Sequence, residues 1–498
     1  MNSNSENNYT VELPLKVESY QADIIDTRLE IGRKIYNALL NIVVKRYNEL
    51  TKTKLYRNLK KQLVSALKAK NKEVSKDIGK QLSDLEKQYK LTKFDIINDV
   101  KEMQHHFKYH IHSRVAQEIA KNVYTSLYSI LHKNGKEFHF KKFGTFNSLQ
   151  SNEINRGIIF NTDYVSWTGL HLIIKYPNNI KSQQYLQYNL FDNIDKLRYC
   201  AIIRKYIRGK RRYYVQLTFR GNIKYTKRKL GFGRVGLDIG TSTLAISSNN
   251  AVDLIELADK VQNVEKDIKR LQYKMDRSKR TNNPNKYNTD GTYKKNNKDK
   301  WKNSNRYIKY RNELRELFRK QAVIRKLQHN QLSNYIISLG DEFFVETMNF
   351  KGLQKRSKKT EKKDNGRYKC KKRYGKSLGN RAPSMLLTLL SNKLKHLNKE
   401  LVKINTQQCK ASQFNHITGE YKKKSLGQRW NIINNRLVQR DLYSAFLISN
   451  VNNTLDSFNI SLCNEKFDNF LLLHNNKINE LKEQKNLTNK SFLSCIGI

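Results

Sequence analysis

Three carboxylates in this chain sit where carboxylates are costly or poised. Asp238 lies inside the apolar run Val235-Gly-Leu-Asp-Ile-Gly240. That run reads as a buried strand entering a tight turn at Gly240, with Leu244 to Ser247 returning as the second strand of a hairpin. A carboxylate inside such a strand is expensive unless a cation, a metal or hydrogen-bond donors hold it. Glu346 ends a third strand, which begins at Asp341 and runs into a loop, and Asp441 stands in the first turn of a helix. The three are 108 and 95 residues apart. A central mixed sheet with flanking helices would bring them to one edge. Phosphodiester hydrolysis uses such a trio: two Mg²⁺ ions about 4 Å apart activate a water and stabilise the leaving oxygen, and hard oxygen ligands suit them. Taken singly, Asp441 also fits a charge facing the helix macrodipole, and Glu346 a surface residue at a strand end. Asp238 has the weakest structural explanation.

Composition narrows the partner. Lys and Arg number 96 against 44 Asp and Glu, a net charge of +52 in 498 residues, and such an imbalance calls for a polyanion, with nucleic acid the natural one. No apolar run reaches transmembrane length, and the N-terminus has no signal-peptide pattern, so no membrane partner is expected. Five scattered cysteines without a CxxC pair fit a reducing cytosol, and the expected location is a prokaryotic cytoplasm, associated with the nucleoid. A competing class shares the opening motif. Asp238-Ile-Gly-Thr-Ser242 resembles the first phosphate loop of actin-like ATPases and sugar kinases. That class needs a second glycine-rich loop, typically Asp-x-Gly-Gly, and none follows.

The surrounding elements follow from periodicity. Tyr9 to Val17 alternates as a strand. Ser19 to Leu131 is helical, with Ile31, Ile35, Leu39 and Val43 on one face and Val115, Ile119, Val123 and Leu127 on another. His106 and His110 have i,i+4 spacing but no acidic or cysteine partner, so the histidines around 105–112 read as surface or RNA-contacting groups. From Gly135 to Gly221 the period becomes two, predicting a small antiparallel barrel that the Tyr9 strand can join. Arg208-Gly-Lys-Arg-Arg212 is its basic hairpin turn, so Arg208, Lys210, Arg211 and Arg212 are candidate nucleic-acid contacts. Two long helices, 257–272 and 308–339, flank a polar segment, 276–305, read as a flexible insertion. Residues 354–381 carry 13 Lys or Arg and read as a mobile nucleic-acid contact, with Lys355 and Arg356 at its start. A helix at 384–401, a strand at Leu401, the Asp441 helix and a tail helix at 467–485 complete the pattern.

With these residues in hand, the chain resembles the TnpB-type proteins, the transposon-encoded RNA-guided nucleases related to the type V CRISPR effectors. Val235-Gly-Leu-Asp-Ile-Gly240 resembles the family's first RuvC motif. Phe344-Val-Glu-Thr-Met-Asn-Phe-Lys-Gly-Leu353 resembles the second, and Gln439-Arg-Asp-Leu-Tyr-Ser-Ala-Phe-Leu-Ile448 the third. Val115-Ala-Gln-Glu118, Phe140-Lys-Lys-Phe143 and the hairpin Lys205 to Val215 are similar to the helical block's exit and the strand pair before the first motif. The resemblance implies an α+β multidomain fold: a helical recognition domain (19–134), an antiparallel wedge β-barrel (135–230) whose first strand is 1–18, and an RNase H-like RuvC nuclease domain. The nuclease domain would hold motifs one and two in 231–404 and motif three in 439–498. It implies Mg²⁺ held by Asp238, Glu346 and Asp441, a guide RNA, and cleavage of double-stranded target DNA beside a short flanking motif read by the barrel and helical block. Arg440, beside a metal ligand, would contact the scissile strand or form a structural salt bridge. A homodimer is compatible with this reading. A type V CRISPR effector, a guided DNA-binding repressor without cleavage, and a transposase proper are the alternatives.

One departure bears on metal content. The family carries a four-cysteine zinc ribbon between motifs two and three. Here residues 405–438 keep its frame, but Asn415, Thr418, Asn431 and Asn434 stand where the cysteines belong. Amides and a hydroxyl do not replace thiolates on Zn²⁺, so the expectation is a zinc-free insert packed by Phe414, His416, Tyr421 and Trp430.

Overall fold

The computed structural model describes all residues except 1–6, 134, 225–229, 262–263, 357–359, 362–363, 365–373, 426, 488–492 and 495. The chain divides into two compact units, Met1–Lys224 and Tyr225–Ile498.

In the first unit, β1 (Asn8–Lys16) alternates exposed and buried residues throughout, as its sequence pattern predicts. Five helices follow: α1 (Ser19–Lys52), α2 (Lys54–Lys68), α3 (Lys72–Gln88), α4 (Lys93–His106) and α5 (Ser113–His132). Side-chain caps start α2 to α5; Thr92, for example, forms a capping box with Asp95. Then come β2 (Ser148–Ser151), β3 (Ile158–Phe160), β4 (Tyr164–Trp167), β5 (Leu170–Ile174), α6 (Ile180–Asn189), β6 (Leu197–Ile207) and β7 (Lys210–Arg220). The strands form one antiparallel sheet in the order β2-β6-β7-β1-β5-β4-β3. β3 lies against β6, which makes the sheet barrel-like. The N-terminal strand joins it between β7 and β5, in register from Asn8 opposite Arg220 to Pro14 opposite Tyr214. Helices and barrel share one apolar core. Arg28 of α1 ties them: its buried guanidinium donates to the carbonyls of Trp167 and Thr168, both at 2.6 Å, and lies 4.8 Å from the centre of the Trp167 ring.

The second unit is built on β8 (Arg234–Ile239), β9 (Thr243–Ser247), β10 (Val252–Glu256), β11 (Glu342–Glu346) and β12 (Leu401–Ile404). Their order is β10-β9-β8-β11-β12. β8 pairs antiparallel with β9 and parallel with β11, and β11 is parallel to β12. The helices are α7 (Glu265–Asn282), α8 (Asn305–Ser338), α9 (Phe350–Leu353), α10 (Gly375–Arg381), α11 (Pro383–Lys395), α12 (Thr406–Cys409), α13 (Arg440–Ser449) and α14 (Ile460–Leu487). A small hairpin, β13 (Trp430–Ile433) and β14 (Arg436–Gln439), precedes α13. On one face of the sheet Val235, Leu237, Ile239, Phe343 and Val345 pack with α8 and α11. On the other, Ala245, Phe344 and Ile404 pack with α13 and α14. Alternate residues of each strand thus serve opposite layers.

Three expectations need correction. The helix expected over 257–272 begins only at Glu265, because residues 257–260 form a turn after β10. The segment 276–305 does not run as loose coil: α7 continues to Asn282, and the residues beyond it fold into a hydrogen-bonded knob. His106 and His110 do not share a helix face either, because α4 ends at His106 and the chain turns before α5. Among the described residues no helix is long and apolar enough to cross a membrane.

Candidate active site

Asp238 and Glu346 reach the same face of the sheet by register. Residues 342–345 of β11 pair in parallel with 234–237 of β8, a constant offset of 108. Carried one step further, the offset sets Glu346 beside Asp238. Asp238 shares its side of β8 with Gly236, and that side faces α13. A Cβ added at Gly236 would lie 2.1 Å from the Ala445 carbonyl oxygen and 2.4 Å from the Ser449 amide nitrogen. Glycine at 236 therefore lets the backbone of α13 lie directly on β8. The first turn of that helix carries Asp441. Gln439 caps the helix, its side-chain oxygen accepting from the Leu442 amide at 2.9 Å.

Asp238 feels the charge of both other carboxylates. Burial first, then the charges of Glu346 and Asp441, push the Asp238 carboxyl well above the usual range, and Arg440 partly opposes them. Burial raises the Glu346 carboxyl to about 7. Asp238 keeps some solvent-exposed surface although protein surrounds it closely. Asp441 is held by cations: Arg440 approaches its Oδ1 at 3.1 Å and Arg429 its Oδ2 at 3.7 Å. Arg440 also donates to the carbonyl oxygens of Ser425 at 3.4 Å and Gln428 at 3.0 Å. Among the described residues no three His, Cys, Asp or Glu side chains close into a metal-holding group. The donor chemistry nonetheless fits a hard divalent cation: three carboxylates, Asp238 within electrostatic reach of the other two, and Asp238 and Glu346 pushed toward protonation when no cation is present.

The loop before α13 is anchored beneath it. His416 is buried, its Nδ1 lies 2.6 Å from the Tyr443 hydroxyl, and its ring packs on Phe467 at 4.7 Å. Burial lowers its pKa to about 4, so it is neutral here. Phe414 packs on Tyr421 and Phe458, while the Trp430 indole N–H donates to the Gly497 carbonyl oxygen at 2.8 Å. Of the four positions where the resemblance places cysteines, three shape turns of the backbone, and Asn431 is buried with both amide atoms unpaired among the described residues. Asn415 accepts from the Ile417 amide at 3.0 Å, and Thr418 from Glu420 at 3.4 Å. Asn431 is buried in β13. Asn434 and Asn435 both have positive φ, the type I′ geometry that closes the β13–β14 hairpin.

The remaining candidates are spread over the chain. Arg208 and Gly209 form the positive-φ turn between β6 and β7, with Lys210, Arg211 and Arg212 exposed beside it. Arg211 is committed to Asp26, which also binds Arg204 at 2.9 Å and the Tyr213 hydroxyl at 2.9 Å. Lys210, Arg211, Arg212, Arg204 and Asp26, together with Lys16, Lys175, Phe143 and Tyr206, border a groove of ≈ 770 Å³ in the first unit. Lys355 and Arg356 follow α9 and are exposed. Much of the basic run that they begin lies outside the described residues. Three contributors were not identified as such from sequence: Gly236, Arg429 and Gln439. Only Gly236 carried a signal, an isolated glycine in a strand marking close backbone approach.

No family model matches the chain. No curated protein matches it in sequence. Among solved structures, a cryo-EM structure of a Cas12f1–sgRNA–target DNA complex aligns over 90% of this chain and 99% of that one, at 12% identity and a TM-score of 0.40. A cryo-EM structure of a CRISPR-Cas12f ternary complex aligns over 87% of this chain and 82% of that one, at 15% identity and a TM-score of 0.26. Both alignments are long and geometrically loose.

Proposed function

We propose that the chain is a metal-dependent DNA endonuclease of the RNA-guided, TnpB-like type. The observation that carries this is the convergence of Asp238, Glu346 and Asp441 on one face of a mixed sheet, in a chain of net charge +52. The arrangement supports an RNase H-like reading of the second unit: one carboxylate on the central strand, one at the end of its parallel neighbour, one on the helix crossing that strand. Asp238, Glu346 and Asp441 would hold Mg²⁺. When bound, the metal supplies water activation and neutralises charge at the scissile phosphate. The chain's own residues set the geometry. Gly236 fixes the height of α13 over β8, Gln439 fixes where that helix starts, and Arg429 and Arg440 hold the Asp441 carboxylate in its present direction.

A second reading, guided binding without cutting, is favoured by one feature: Asp441 is engaged by two arginines. The experiment separates the two. Protein purified with its co-purified RNA is given plasmid DNA complementary to that RNA. Cutting is expected with Mg²⁺ and not with a chelator. Asp238→Asn, Glu346→Gln and Asp441→Asn should each slow it by roughly two orders of magnitude or more while leaving DNA binding intact. Undiminished cutting by Asp238→Asn would sink the nuclease reading, and binding without cutting in the unaltered protein would favour the second. Sequencing the RNA separates a transposon-end guide from one transcribed from a repeat array.

A further inference from the structure

The knob between α7 and α8 is built around aromatic rings. Tyr287 and Tyr293 pair across an antiparallel bridge, with ring centres 4.9 Å apart and planes at 30°. Trp301 meets both rings edge-on, at 6.2 and 5.6 Å. Cations hold the cluster from the α7 side. Lys279 lies 3.9 Å from the Trp301 ring centre, Lys286 4.8 Å from it, and Arg280 4.6 Å from that of Tyr287. Asparagines close the loop. The buried Asn283 side chain donates to the carbonyls of Lys279 and Lys302 at 2.8 Å each, and accepts from the Lys302 amide at 2.7 Å. The buried Lys286 ammonium donates to Asn297 Oδ1 at 3.3 Å and to the Asp299 carbonyl. The Asn-rich composition that suggests disorder is thus the material of the fold.

The outer side is what a ligand would meet. Tyr293 and Trp301 are 49% and 39% exposed. Lys294, Lys295, Lys298, Lys300 and Lys302 are exposed near them in the chain, and residues 283–304 carry six lysines against two aspartates. An ordered, half-exposed aromatic cluster ringed by lysines fits a strand with free base faces: bases stack on rings while ammonium groups meet phosphates. A duplex hides its base faces and can use only the lysines. We propose that the α7–α8 knob is a binding site for single-stranded nucleic acid, with Tyr293 as its stacking surface and Lys294 and Lys295 as phosphate contacts. This assignment does not depend on the carboxylates being active.

The test uses full-length protein, stripped of RNA and kept in chelator so that nothing is cut. Binding of a labelled oligothymidylate is compared with that of a blunt DNA duplex. Tyr293→Ala should weaken the single strand roughly fivefold or more and leave the duplex nearly unchanged, while Tyr293→Phe restores single-strand binding. Lys294→Ser with Lys295→Ser, both at exposed positions that can change without unfolding the knob, should reduce the slope of log affinity against log salt by about 1.4 for the single strand. Photo-crosslinks from 4-thiothymidine should map to the peptide spanning 287–301. Equal losses for both DNA forms, or no loss with either set of variants, would overturn the proposal. So would binding to phosphatidylserine vesicles that these variants abolish while oligothymidylate binding persists.

Discussion

Glu346 shows how a buried acid reports on the state of its site. Its pKa of about 7 in the folded chain, against an ordinary 4.5, means that the native protein favours the protonated form. The sign follows directly. Its contribution to stability is full below about pH 4.5 and is lost as the pH rises through about 7, because the unfolded chain ionises first. With its partial exposure allowed for, the loss is on the order of 2 kcal/mol. The melting temperature of metal-free protein should therefore fall across that window, and Glu346→Gln should flatten the fall. Added Mg²⁺ should stabilise the unaltered protein more above pH 7 than below pH 5, since only ionised carboxylates bind it well. A melting profile that Glu346→Gln leaves unchanged would show that this carboxyl is not the titrating group. Asp238 moves in the same direction, for the same first cause with its neighbours' charges added.

Among the elements, the contact of α13 with β8 decides whether a site exists. It depends on one missing methyl group. In Gly236→Ala the new Cβ would meet the Ala445 carbonyl oxygen and the Ser449 amide, both backbone atoms that cannot rotate away. The helix would have to lift, at a cost of about 3 kcal/mol or more. Chemical denaturation should show that loss, and cutting should fall with it, because Asp441 rides on the helix that moves. Gly379→Ala, in helix α10 with nothing within 4 Å of the added Cβ, is the control. The insert before α13 belongs to the same level of organisation. His416 is hydrogen-bonded to Tyr443, two residues beyond Asp441, so this segment braces the helix with side chains.

Over the whole molecule, charge dominates. With 96 basic against 44 acidic residues, affinity for any nucleic acid should fall steeply with salt, by roughly a thousandfold or more between 50 and 200 mM if six or more phosphates are contacted. The basic hairpin offers a finer check. Replacing Lys210 and Arg212 with serine should reduce the salt slope by about two. Arg211→Ser should act differently despite its position between them. Its guanidinium is already spent on Asp26, so its loss should lower the melting temperature more than it lowers the slope. Filter binding across a salt series, paired with thermal melts, separates the two outcomes.

What the sequence determined by itself is local. Alternation located the strands around Tyr9, Gly169, Arg198 and Tyr213, and four-residue spacing located α1 and α5, because burial on one face imposes those periods over short windows. Asp238 was legible as a carboxylate in an apolar strand, and Asp441 as a residue of a helix's first turn. Their meeting was not, because no local pattern encodes which strands become neighbours. That depended on a 108-residue offset between β8 and β11 and on a helix seated against a glycine. Nor did spacing reveal that Arg429 reaches Asp441 across the open base of the β13–β14 hairpin, or that an Asn- and Lys-rich segment folds around three aromatic rings. Such contacts depend on distances between residues far apart in the chain, and only packing sets those.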